Sequence, residues 1–173
     1  MFFKNYLEKV VSEYKTKGII IDTSLALLYF IGNYDKDLIT KFKRTNEYYS
    51  IEDYDLIEKI IDFFYPSPII TTPNILTEVY NFSNQLQDKI KIEYFENFRE
   101  KIIILSEKYY QSLSIVKNEY FTRFGLTDIS IVLAAYGKKY LVFTDDFPLK
   151  NLLDYLEIDS ININNIRTFE WFN

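Results

Sequence analysis

The chain of 173 residues contains no histidine and no cysteine, and only one Met, one Trp, 4 Gly and 4 Pro. Without His or Cys, Ser-His and Cys-His nucleophilic catalysis, disulfides and ordinary zinc sites are excluded. Zero Cys also fits a reducing compartment. The scarcity of Gly and Pro, with no Ser-rich tract, long like-charge block or internal repeat, leaves no linker, so residues 1–173 read as one domain. Also missing is any apolar run approaching the roughly 20 residues of a membrane span. The amino-terminal segment carries Lys4, Glu8, Lys9 and Glu13 where a signal peptide would be apolar. These absences predict a cytoplasmic protein with no membrane partner.

A hydrophobic content of 48% is enough for a full core, and the net charge of -5 argues against nucleic-acid binding by the whole surface. Lys41, Lys43, Arg44, Arg99, Arg123, Lys138 and Lys139 are nevertheless available for a local basic rim. The 16 Tyr and 15 Phe offer base-stacking platforms, or else reflect a general bias shared with the abundant Ile, Lys and Asn.

Short Ile/Val/Leu runs at Gly18 to Ile21, Ile69 to Thr71, Ile102 to Leu105 and Tyr140 to Phe143, with a weaker one at Ile161 to Ile163, predict buried strands of a parallel sheet. Amphipathic stripes alternate with them. Phe2, Phe3, Tyr6, Leu7, Val10, Val11 and Tyr14 predict a helix over about residues 2–16, and Tyr109, Tyr110, Leu113, Val116 and Tyr120 another. The alternation defines an α/β fold with three layers, α/β/α, around a central parallel sheet. Between the first two strands lies a long helical insertion, about residues 33–66, with one helix around Asp37 to Thr45 and a second from a Ser50 cap to Phe64, stopped by Pro66.

Four carboxylates stand at strand ends or helix starts. Asp22 ends GIIIDTS, Glu78 lies in TTPNILTEVYNF, Asp128 follows Thr127 in FGLTDISIVLAA, and Asp146 follows Asp145 in YLVFTDD. Each has a purely structural alternative: a helix N-cap for Asp22, a solvated stripe edge for Glu78, a favourable first-turn charge for Asp128, a turn former for one of Asp145 and Asp146. A parallel sheet would bring all four together. Two like charges roughly 5 Å apart repel by about 3 kcal/mol at an effective dielectric of about 20, so such a group takes up protons or metal. Oxygen ligands alone favour Mg²⁺ or Mn²⁺.

The ordered set IIIDTS, ILTEV, GLTDISIVLAA and LVFTDD resembles the PIN-domain nuclease family, including its VapC-like ribonucleases, from about Gly18 to Ile163. The resemblance implies a metal-dependent endoribonuclease that hydrolyses RNA phosphodiester bonds with Mg²⁺ or Mn²⁺. Asp22, Glu78, Asp128 and Asp146 would form the metal pocket, Asp145 would be an alternate or auxiliary acid, and Thr23, Ser24 and Thr144 would steady phosphate or water. It further implies the toxin of a type II toxin–antitoxin pair, with an antitoxin as partner. The alternative function is a non-catalytic PIN-like RNA-binding or protein-assembly module. Phe42, Tyr48, Tyr49, Tyr54, Phe63 and Phe64 give the insertion more aromatic surface than a lid needs, which predicts a homodimer contact or a partner's docking face.

Overall fold

Ile19–Ile21 forms the first strand, β1, and all of it is buried. Branched side chains favour extended backbone, and burial of successive rather than alternate residues requires cover on both faces of the sheet. The computed structural model, which describes residues 2–167 and side chains from residue 8 onward, provides that cover. β2 (Ile69–Thr71), β3 (Ser106–Glu107), β4 (Leu141–Thr144) and β5 (Ser160–Asn162) join β1 in a five-stranded, all-parallel sheet of order β3-β2-β1-β4-β5. Register pairs Ile20 with Ile70 on one side and with Val142 on the other. Helices flank the sheet, giving the three-layer α/β/α architecture.

The helices in chain order are α1 (Phe2–Tyr14), α2 (Thr23–Tyr34), α3 (Lys43–Asn46), α4 (Ile51–Phe64), α5 (Pro73–Ser83), α6 (Asp88–Ile102), α7 (Ser112–Val116), α8 (Phe121–Ala135) and α9 (Phe147–Tyr155). Val10, Val11 and Tyr14 bury the end of α1, whereas the side chains of Phe2, Phe3, Tyr6 and Leu7 lie outside the described ones. Thr72 caps α5 by accepting the Ile75 N–H at 3.3 Å, with Pro73 at the first helical position, where no N–H is needed. The start of α4 is closed by Asp53, which accepts the Ser50 N–H at 2.9 Å. Among the described residues no helix is long and apolar enough to cross a membrane.

Two expected elements are corrected. The run Ile102 to Leu105 is not a strand: α6 continues to Ile102, Ile103 and Ile104 are exposed in the turn, and the edge strand is the next pair, Ser106–Glu107. An edge strand pairs on one side only and is often short and polar, so it lacks the apolar signal of the central ones. The stripe from Tyr109 to Tyr120 does not become one buried helical face either. Only Ser112–Val116 is helical there, Tyr109, Leu113 and Val116 are exposed, and Ile115 turns inward instead.

The insertion is also rebuilt. Its first part is a single 3₁₀ turn at Lys36–Leu38 followed by the one-turn α3, in place of one helix from Asp37 to Thr45. Phe42, Tyr49, Tyr54 and Phe64 are buried in the chain's own core and Phe63 packs against it, so of the six aromatics only Tyr48, 67% exposed, faces outward. All of the aromatic surface that motivated a homodimer contact except Tyr48 is used internally.

Tyr54 of α4 explains Gly32 of α2. A Cβ on Gly32 would run into the Tyr54 ring, which is itself fully buried. Gly32→Ala should therefore destabilise the protein by about 1–3 kcal/mol, the usual cost of overpacking. Urea unfolding measures it, and an unchanged midpoint would refute this account of the α2–α4 contact.

Candidate active site

The strand order places a topological switch at the sheet's centre, because the chain runs from β1 outward to β2 and β3, then returns to β4 beside β1. Crevices in open parallel sheets form beyond the carboxyl ends of the strands at such a switch. Asp22 follows β1 directly, and Asp145 and Asp146 follow β4. Lys138 and Lys139 lead into β4 and so lie at the opposite, amino-terminal end, away from any basic rim of this site.

Asp22 is buried and held from three sides. It accepts the Leu25 N–H at 3.1 Å as the N-cap of α2, the Asp145 N–H at 3.3 Å, and the hydroxyl of Thr144. Such donors favour the ionised form, yet burial first, and then the charge of Asp145, push the carboxyl up to about 7. Asp145 in turn accepts a hydrogen bond from Tyr49, whose own ionisation is driven upward by burial and by the Asp145 charge. Thr144 also accepts the Asp146 N–H at 2.9 Å, so one hydroxyl orients Asp22 and the backbone that carries Asp146. Thr144 is thereby committed to the carboxylates.

The remaining acids gather on a second side. α8 bends at Gly125, whose φ of 78° is easy only for glycine, and the bend puts Thr127 and Asp128 in the first turn of the segment beyond it. Thr127 donates to Glu78 at 2.6 Å. A hydroxyl chain fixes this juncture: Thr72 and Ser130 share a hydrogen bond of 2.8 Å and Ser130 donates to the Thr127 carbonyl at 2.7 Å, tying the start of α5 to α8. Burial first, then the charges of Asp146 and Glu78, push Asp128 up to about 7. Asp146 caps α9 by accepting the Leu149 N–H at 2.8 Å.

The expected acids thus form two electrostatic groups, Asp22 with Asp145 and Asp128 with Asp146 and Glu78, joined through Thr144 and the adjacent residues 145 and 146. Among the described residues no group of three or more Asp, Glu, His or Cys side chains is arranged to hold a metal ion as it stands. A cavity of about 340 Å³ opens at this end of the sheet, and its lining takes in Ser24, Asp145 and Asp146 but not Glu78 or Asp128. Arg44, Tyr48 and Tyr49 of the insertion form its opposite wall with Phe82. Thr23 is different from the other hydroxyls: its oxygen is buried and has no hydrogen-bond partner among the described residues.

Sequence reasoning counted Tyr49 among the insertion's interface aromatics and gave it no place in the site, and used Thr127 only to mark where Asp128 begins its helix. Tyr49 reaches Asp145 across 96 residues of sequence and carries no local signature. For Thr127 the signal was present, a hydroxyl beside the candidate acid, but only the packing of α5 on α8 identifies Glu78 as its partner.

No known family model matches the chain, and no curated protein shows a significant match to it.

Because Asp22 and Asp128 hold protons in the folded protein that an unfolded chain releases near 3.8, the metal-free fold binds more protons than its unfolded state between about pH 4 and about 7. Stability then falls as pH rises through that window and levels off above it. Asp22→Asn, which keeps a capping oxygen for the Leu25 N–H, should flatten the decline. Urea titrations in EDTA across the window check this, and an equal slope in both proteins would contradict the crowding of these carboxylates.

Proposed function

We propose that this protein is a PIN-like, metal-dependent endoribonuclease. The observation that supports this reading is the pair of desolvated carboxyls, Asp22 and Asp128, raised by burial and by acidic neighbours at the carboxyl end of the central strands. Structural caps alone do not call for that crowding. A lone capping aspartate gains from being ionised beside a helix N-terminus, whereas these two are pushed the other way.

The donor set fits Mg²⁺ or Mn²⁺: it offers oxygen only, its charges repel in the absence of a cation, and Thr23 adds an unpartnered buried hydroxyl beside Asp22. Asp22 and Asp128 are the residues to hold the metal directly, Glu78 and Asp146 to hold it directly or through water, and Asp145 is the auxiliary acid. Such an ion supplies Lewis-acid activation of water and neutralises charge on the scissile phosphate. The chain's own contribution is orientation. Thr144 fixes the Asp22 carboxylate, Thr127 fixes Glu78, and Tyr49 fixes Asp145. Ser24, exposed on the cavity wall, is placed to hydrogen-bond a phosphate oxygen or a water. A toxin role within a type II toxin–antitoxin pair belongs to this reading, and it requires that expression arrest growth and that co-expression of a small partner relieve the arrest.

A second reading, a non-catalytic RNA-binding or assembly module, is favoured by one observation, the lack among the described residues of three acids already arranged around a metal position. The two separate cleanly. The nuclease reading expects purified protein to cut single-stranded RNA with Mn²⁺ and to stop in EDTA. Asp128→Asn should abolish cleavage while leaving the metal-free protein as stable as the wild type or more so, since it removes a charge that its neighbours oppose. Calorimetric titration supplies an independent readout: Mn²⁺ affinity should strengthen from about pH 6 to about pH 8 as the carboxyls lose their protons. Full cleavage by Asp128→Asn, or no cleavage by wild type at any Mn²⁺ concentration, would sink the assignment.

A further inference from the structure

A second depression, a groove of about 540 Å³, lies between the 38–46 segment of the insertion and the connection from α5 to α6. Its charge is opposite to that of the acidic cavity. Lys41, Lys43 and Lys89 line it, together with the amides Gln85 and Gln87, and among the described residues no Asp or Glu does, in a protein whose net charge is -5. Lys41 also reaches Asp37 at 3.4 Å, but both side chains are well exposed and such a pair is worth little. Lys43 and Lys89 form no ion pair among the described residues.

The groove is built, not incidental. Ile39, Phe42 and Leu86 anchor its two banks in the core, and the buried Thr45 hydroxyl donates to the Ile39 carbonyl at 2.8 Å, holding the 38–46 segment in shape. Its lysines are therefore carried on a fixed backbone.

Groove and acidic cavity meet at one side chain. Arg44 lines the cavity, lies over the Phe82 ring at 4.6 Å, and donates through Nε to Gln85 of the groove at 3.1 Å. Tyr48, an exposed aromatic of the insertion, lines the cavity beside it. A basic groove that tracks a backbone, leading to an exposed aromatic face, is the pattern by which single strands are held without regard to sequence.

We infer that this groove binds the phosphate backbone of a single-stranded nucleic acid, with Arg44 handing the strand to the acidic cavity. The inference rests on the nuclease reading for what happens at the cavity, and not for the binding itself. Lys41, Lys43 and Lys89 contact successive phosphates, and Tyr48 stacks on a base near the cavity mouth.

The test measures affinity for short fluorescent oligouridine and oligothymidine strands in EDTA, where no cleavage intervenes, for wild type and for Lys41→Gln/Lys43→Gln/Lys89→Gln. Each single-strand phosphate contact contributes about 0.7 to the slope of log affinity against log salt, so losing three should reduce the slope by about 2 and weaken binding about tenfold or more at moderate salt. If circular dichroism shows the triple variant unfolded, Lys43→Gln/Lys89→Gln is read in its place, with a slope smaller by about 1.4. Binding of both strands, or of the uridine strand alone, supports the inference and says whether the 2′-hydroxyl is read. Unchanged affinity and slope in a folded variant overturn it, as does tighter binding of a duplex of the same sequence or no wild-type binding at all. Mn²⁺-dependent cleavage is scored separately. Cleavage with groove-independent binding defeats the groove alone, and groove-dependent binding without any cleavage defeats the nuclease reading alone.

Discussion

β1 and β4 are parallel neighbours at the centre of the sheet, and the candidate site depends on that adjacency. Parallel pairing makes both strands end at the same edge, so Asp22 and Thr144 meet although 122 residues separate them. Thr144 then sets the orientation of Asp22 with its hydroxyl proton and receives the Asp146 N–H on its oxygen. Had the two strands run antiparallel, the same residues would lie at opposite edges and the acids would be ordinary helix caps.

The insertion between β1 and β2 acts on the same edge from the other side. Its aromatics are spent on the core: Tyr54 against Gly32, Phe64 against Phe143 with ring centroids 6.0 Å apart, and Tyr49 buried while its hydroxyl reaches Asp145. On the stretch that borders the cavity and the groove it turns Lys41, Lys43, Arg44 and Tyr48 outward. Packing and electrostatics thus divide along one short segment, in which Phe42 and Thr45 face the interior and Lys41, Lys43 and Arg44 face solvent.

Much of this was legible in the sequence where the signal is local. Consecutive apolar residues bounded by turns marked β1, β2, β4 and β5, and Ser50 and Pro66 marked the ends of α4. The strand-end aspartates pointed to one edge of the sheet because a parallel topology leaves them nowhere else to go. The rest was not local. β3 has no apolar signature because it pairs on one side only, and the helical period before it overran the run Ile102 to Leu105. Burial of the insertion's aromatics depended on Gly32 admitting the Tyr54 ring, a fit between helices that periodicity within either one does not encode.

On the proposed nuclease reading two of the acids do double duty, and the consequence reaches beyond this chain. Asp22 and Asp146 close helices α2 and α9 whether or not chemistry occurs nearby, so a descendant that had lost its activity would still be held to them by folding. Among the described residues Asp128 caps no helix, and Glu78 is held by the Thr127 hydroxyl. In any set of related chains, the informative positions are therefore these two: their replacement beside intact Asp22 and Asp146 would mark a lineage that kept the architecture and abandoned the reaction.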